Sequence, residues 1–299
     1  MSQWLLEFKD VYYTYPGTNR PAIASLTLRL PIGKRIALIG QNGCGKTTLF
    51  LLANGLYKPQ QGRICWKSDR INYNRQSLIQ LRQQVGLVFQ HPEQQLIAST
   101  VEEDISYGLC NLELDEKTIA QRIEQVLEEF GLTSLATKPI HQLSLGQKKR
   151  VSLADVMVLQ PELLLLDEPT AYLDPLHTRQ LAQLLQTIHA NGTTILMATH
   201  DLDWVYRWAD WVLVLDRGQL FLEGTPQDVF SKQEVMEKLQ LGVPLAFELL
   251  SLIEEMEPQL SQSRTQDLVD AIAQLKNKIQ QKLVGDIKHI ARAIALSNR

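Results

Sequence analysis

The sequence predicts an α/β protein with a helical subdomain inserted in its core and a helical extension after it. Three patterns point there. Short apolar or alternating runs, separated by Pro and Gly, fill the first third and return after residue 160, alternating with helical stretches. From Ser99 to Gln160 the periodicity is helical. After about Phe230 the chain turns helical and polar, which sets expected bounds of 1–230 for the main domain, about 99–160 for the insertion and 231–299 for the extension.

In order, WLLEF, SLTLRL and RIALIG are strands, and a helix follows GCGKTT. TIAQRIEQVLEEFGL, Thr118 to Leu132, is an amphipathic helix closed by Gly131. LLLLD and TTILMAT are buried strands, with a helix near Thr178 to Ala190 between them. WVLVLD and QLFLEG flank Arg217-Gly218 as a hairpin. The extension carries apolar residues at Leu268, Ile272, Leu275 and Ile279, then Leu283, Ile287, Ile290 and Ile294, all on one helix face. Its phase shifts near Leu283, as at a stutter. Such a stripe either packs on its own domain or meets another subunit.

Bulk composition narrows the function classes. The chain has 299 residues, 44% of them apolar, so it can bury a substantial core. A net charge of −3 gives no global basic field, which argues against a nucleic-acid partner. Three scattered cysteines (Cys44, Cys65, Cys110) form no disulfide framework and suit a reducing cytosol. The N-terminus lacks the pattern of a signal peptide, and no run of 18 apolar residues spans a membrane. The six histidines show no metal-ligand spacing.

The chemistry concentrates in three motifs. GQNGCGKTT, Gly40 to Thr48, fits G-x-x-x-x-G-K-[ST] between a strand and a helix. In that motif the backbone N–H groups of the loop and helix start surround phosphates: here Gly40, Asn42, Gly43, Cys44, Gly45 and Thr48. Lys46 reaches the β- and γ-phosphates, and Thr47 offers a hydroxyl to Mg²⁺. Cys44 is a loop residue rather than a nucleophile. LLLLDEPT ends a buried strand in two acids: Asp167 to hold Mg²⁺, directly or through water, and Glu168 to polarise an attacking water. His200 follows the strand TTILMAT, where its side chain faces the γ-phosphate. LSLGQKKR pairs Ser144 and Gln147 at capping-box spacing, yet crowds Lys148, Lys149 and Arg150 at the positive end of a helix. Either an incoming anion offsets those charges or they are a solvated face.

Taken together and in this order, these motifs resemble the ATPase subunits of ABC transporters over roughly the first 230 residues. The resemblance implies a P-loop NTPase fold with a RecA-like core. It makes Gln90 in VFQ the Q-loop glutamine, a contact to both the reaction and Mg²⁺, and Asp174 in AYLD the D-loop acid. Tyr15 resembles the aromatic that stacks on adenine, with Tyr12 and Tyr13 as nearby rivals. LSLGQ is then the signature, and Ser144, Gly146 and Gln147 contact ATP bound by a second ATPase subunit, identical or related. Leu145 departs from the family, where Gly is usual, and puts the turnover rate in question.

QHPEQQLIASTVEEDISYG, Gln90 to Gly108, is similar to the energy-coupling factor, cobalt-type branch. The resemblance implies ATP and Mg²⁺ as cofactors, and a peripheral place on the cytoplasmic face of the membrane. It implies a transmembrane coupling subunit, offered acids by Glu102, Glu103 and Asp104, and a membrane substrate-binding subunit. Cobalt, nickel or a vitamin such as biotin suits the cargo. The alternatives are a conventional ABC importer, which only Gln90 to Gly108 argues against, and a soluble ABC ATPase acting on ribosomes or DNA. Translation-factor types usually hold two such domains, and chromosome-maintenance types are split by a long coiled coil. A small-molecule P-loop kinase would lack LSLGQ and the order from DEPT to His200.

Overall fold

The computed structural model describes residues 3–112 and 114–248. The chain divides into two units, Met1–Gly242 and Val243–Arg299. The stripe from Leu268 to Ile294 lies outside the described residues.

Unit one begins with β1 (Trp4–Tyr13), β2 (Ile23–Pro31), β3 (Arg35–Ile39), α1 (Lys46–Ala53), β4 (Gln61–Trp66), β5 (Asp69–Arg70), α2 (Arg75–Gln84) and β6 (Val85–Val88). The helical insertion follows as α3 (Val101–Cys110), α4 (Glu116–Glu129) and α5 (Leu145–Met157). The chain then returns through β7 (Leu163–Asp167), α6 (Pro175–Ala190), β8 (Thr194–Ala198), α7 (Leu202–Trp208), β9 (Trp211–Asp216), β10 (Gln219–Gly224), α8 (Pro226–Phe230) and α9 (Gln233–Lys238).

The central sheet has the order β10-β9-β3-β8-β7-β6, parallel except for β10. Parallel strands covered on both faces need continuous apolar runs. Ile36 to Ile39, Leu163 to Leu166 and Ile195 to Ala198 supply them, all essentially without exposure. A second, antiparallel sheet, β2-β1-β4-β5, packs its apolar side into the same core through Leu6, Phe8, Leu28 and Ile64. The β9–β10 turn holds Arg217 at φ 47° and Gly218 at φ 77°, the left-handed pair that a two-residue hairpin requires.

Register decides where the site forms. Asp167 pairs with Ala198, Leu38 with Ala198, and Val88 with Leu166. The carboxyl ends of β3, β6, β7 and β8 therefore lie level, and their following loops carry Gly40–Thr48, Gln90, Glu168 and His200. Open parallel sheets bind ligands at this edge.

In the insertion, α4 buries Ile123, Val126 and Leu127, one stripe at helical spacing, and Asp115 caps it by accepting from Thr118 N–H. Two findings differ from expectation. Asp104 does not face outward: it is 2% exposed, and its Oδ1 accepts from the amides of Ile97 and Ala98 at 2.8 and 2.7 Å. Glu102 and Glu103 are exposed, with Glu103 engaged in the capping box of α3. The compact unit also continues past residue 230 to Gly242. Met236 of α9 is fully buried, and the Gln41 side chain donates to Leu239 O at 2.8 Å. Among the described residues, no helix is long and apolar enough to cross a membrane.

Candidate functional site

The loop between β3 and α1 is shaped by close backbone approach. A Cβ at Gly40 would stand 2.3 Å from Leu215 O. At Gly45, φ is +110° and a Cβ would lie 2.6 Å from Ala22 O. Gly45 is also the N-cap of α1 and offers no side chain, so the helix starts with uncapped amides. Uncapped N–H groups and the helix dipole suit an anion. Lys46 Nζ lies over the loop, donating to Gly40 O at 2.7 Å and Gln41 O at 3.2 Å. Thr47 Oγ1 donates to Asp167 Oδ2 at 2.6 Å.

A cleft of about 900 Å³ opens above these residues. Its floor is Asn42, Gly43, Gly45, Lys46, Thr47 and Thr48. Gln90, Asp167, Glu168 and His200 form the wall at the ends of β6, β7 and β8. Tyr15 lines the far end, where its OH shares a 3.0 Å hydrogen bond with Thr48 Oγ1. Its ring is braced edge-on by Tyr13 at 5.2 Å and Tyr57 at 5.7 Å. Of the three tyrosines considered, the cleft takes Tyr15; Tyr13 is buried and stacked on Tyr57. Gly40 and Cys44 of the same loop do not line the cleft, and burial pushes the Cys44 thiol above its usual range, against nucleophilic use.

His200 Nδ1 and Glu168 Oε2 are 2.8 Å apart, although the His200 side chain is 75% exposed and that of Glu168 only 10%. Glu168 holds φ at 47°, a left-handed conformation costing about 1–3 kcal/mol in a residue with a Cβ. Burial raises the Asp167 carboxyl pKa, while the Thr47 hydroxyl and the Lys46 ammonium draw it back. These groups fit magnesium and a polyphosphate. Thr47 and Asp167 set two hard oxygen donors side by side, and an ammonium and free amides stand beside them. Among the described residues, no three His, Cys, Asp or Glu gather as a metal cluster.

Ser144, Gly146, Gln147 and Asp174 are not brought to this cleft. Ser144 Oγ accepts from Gln147 N–H at 3.3 Å, and Gln147 Oε1 accepts from Ser144 N–H at 3.0 Å, closing the capping box. Gly146 faces His177, whose Nδ1 meets Asp174 Oδ2 at 2.7 Å. Two residues of the basic run after them are engaged within the chain. Lys148 pairs with Glu93 at 3.1 Å, and Lys149 is 8% exposed, donating to backbone carbonyls beside Glu168. Ala171 and Tyr172 of AYLD line the cleft, as do Thr18 and Arg20, which sequence reading missed. Tyr172 sits inside AYLD, so the motif marked it, but Thr18 and Arg20 follow no pattern.

Comparison with known proteins agrees with this geometry. A family model described as ABC transporter matches residues 23–171. A Nostoc sp. protein assigned to the ABC transporter ATP-binding proteins is 64% identical over 249 residues, 83% of this chain and 91% of its own. The energy-coupling factor transporter ATP-binding protein EcfA of Methanocaldococcus jannaschii is 39% identical over 254 residues, 85% of this chain and 91% of its own. CbiO1 of Clostridium perfringens, part of the ABC transporter complex CbiONQ, superposes with a TM-score of 0.71 at 38% identity, covering 84% of this chain and 100% of its own. The chain belongs to the ATP-binding subunits of ABC transporters, in their energy-coupling factor group, and is an ABC-type ATPase.

Proposed function

We propose that the chain binds Mg-ATP in the cleft and hydrolyses it to power an energy-coupling factor importer for cobalt, nickel or a vitamin. The supporting observation is the Glu168–His200 pair, 2.8 Å apart, on the same wall as Asp167 and Gln90 and above Lys46. Tyr15 stacks on the base. The loop amides and Lys46 bind the phosphates, and Lys46 moves from its two carbonyls onto the β- and γ-oxygens. Thr47, Asp167 and Gln90 hold Mg²⁺, which when bound neutralises charge on the transferred group. Glu168 orients the attacking water and receives its proton. His200 occupies Oε2 and fixes the carboxylate, leaving the other oxygen for that water.

Ser144, Gly146 and Gln147 serve a second ATPase subunit, whose bound nucleotide they meet across the interface beside Asp174. ATP closes the pair and hydrolysis reopens it. Glu102 and Glu103, exposed on the first turn of α3, face basic residues of a transmembrane coupling subunit. That subunit works with a membrane substrate-binding protein, and the chain sits at the cytoplasmic face.

Glu168→Gln tests the reading. It keeps the hydrogen bond to His200 and removes the base, so ATP binding should persist while turnover falls by about a hundredfold or more. Phosphate release at the wild-type rate in that variant rejects it. Membrane proteins that co-purify with the chain decide the transporter type, since a substrate-specific membrane subunit is expected and a soluble binding protein is not.

A further inference from the structure

We propose that Lys149 is a positioning residue for Glu168, gripping from α5 the backbone loop that carries the carboxylate. The inference rests on the role proposed for Glu168 above.

An ammonium has three N–H donors, and burying it without partners is costly. Lys149 Nζ has three backbone carbonyls around it: Ala171 O at 2.8 Å, Pro169 O at 2.9 Å and Glu168 O at 3.5 Å. They come from one turn of chain directly after β7. That turn is strained at both ends, with Glu168 at φ 47° and Tyr172 at φ 64°. Such conformations persist only where their surroundings over-determine them. The Glu168 amide donates to Ala198 O at 2.9 Å and its side chain meets His200, which fixes the residue on the sheet side. Lys149 fixes the other side, through the carbonyls.

The geometry also accounts for the position of the charge. At the start of α5 a lysine is opposed by the helix dipole. Lys148 and Lys149 each gain a specific anchor there: Lys148 holds Glu93, just beyond Gln90, and Lys149 holds the loop of Glu168. Helix α5, capped by Ser144, is thereby tied to the segment after Gln90 and to the loop of Glu168. Displacement of α5, when its N-terminus meets another subunit's nucleotide, is carried to Glu168 through these carbonyls. Burial lowers the Lys149 pKa to about 8, with Glu168 and Glu93 drawing it back upward.

Three variants in the assembled complex separate positioning from packing. Lys149→Met keeps volume without donors, Lys149→Gln keeps two donors on a shorter arm, and Lys149→Arg keeps charge and donors. Met matches Lys in length while Gln is shorter and Arg larger, so a packing role predicts that Lys149→Met is the mildest of the three, an order that would overturn the inference. We expect Lys149→Met to lower kcat about tenfold or more with ATP KM within about twofold, since the loss falls on the transition state alone. Lys149→Gln and Lys149→Arg should recover part of that kcat. In a Glu168→Gln background, Lys149→Met should add no further loss, as for residues acting as a unit. Equal kcat in all three variants, or a loss expressed in KM, overturns the inference. If Lys149→Met fails to fold, the order of Gln and Arg against wild type, with the Glu168→Gln background, still decides. Loss of turnover in Glu168→Gln with full activity in Lys149→Met rejects the positioning role alone; turnover retained in Glu168→Gln rejects the catalytic reading beneath it.

Discussion

At Leu145 the chain carries a side chain where the family resemblance makes Gly usual, while at Gly146 a side chain would press on the His177 ring. Leu145 is half-buried on the first turn of α5, whose capping box is complete without it. A Cβ on Gly146 would come 2.9 Å from His177 Cδ2, and His177 is held by Asp174. Leu145→Gly frees backbone at the helix start, costing about 0.5–1 kcal/mol. We expect it to change the steady-state ATPase rate by less than about tenfold. Gly146→Ala must shift the His177 ring from Asp174 and should lose more. Ser144→Arg, with its bulk at the shared nucleotide, should be worst. An ATPase series in the opposite order would mean that the motif is read from the wrong residues.

Helices α3 and α5 meet through a buried knot that sequence reading did not find. Gln95, from the loop after β6, donates to Ser152 O at 2.6 Å and to Asp155 Oδ2 at 3.1 Å. Burial raises the Asp155 pKa from 3.8 to about 7, with the Gln95 hydrogen bond opposing and Asp104 reinforcing. Between those two values the folded chain holds a proton that the unfolded chain has lost. Stability therefore falls as pH rises through that window. Asp155→Asn should flatten the slope and stabilise the protein at pH 8 by up to a few kcal/mol, at about 1.4 kcal/mol for each tenfold change in proton affinity. Denaturant midpoints at pH 5 and pH 8 measure this; an unchanged slope clears Asp155. The knot was illegible because its partners are 57 and 60 residues apart in the chain. Local pattern did better where one stripe suffices, and α4 falls within a few residues of its expected span. It failed for α2, where Leu81 is buried and the remaining positions are polar or partly exposed, so the Asn74 cap carries more of the signal than any periodicity. In the cleft, Lys46, Thr47, Asp167, Glu168 and His200 were legible because each lies at or beyond the carboxyl end of a core strand. Tyr15 needed the packing of Tyr13 and Tyr57 to separate it from its rivals.

Across the whole molecule, Gly43 and Gly45 to Thr48 contribute to the cleft lining while Ser144, Gly146 and Gln147 do not, so on the function proposed above one chain would hold half of each reaction site. Lys149 ties the start of α5 to the loop after β7 of the same chain. On that proposal a second ATPase subunit, identical or related, would complete both halves at once if the two meet about a two-fold axis, since an isologous contact offers each surface to the other. This arrangement predicts complementation. Lys46→Ala removes the phosphate contact and Ser144→Arg blocks the signature, so each variant alone should be inactive in the assembled complex. In a pair carrying one variant per subunit, one composite site takes both lesions and the other takes neither. Two affinity tags isolate that mixed pair, and it should recover about half of wild-type ATPase activity if the two sites turn over independently. An isolated mixed pair without activity would place Ser144 and Lys46 in the same site of one chain. Failure to isolate any mixed pair would mean that the second subunit is a different ATPase, and the same two variants, one in each chain, then repeat the measurement.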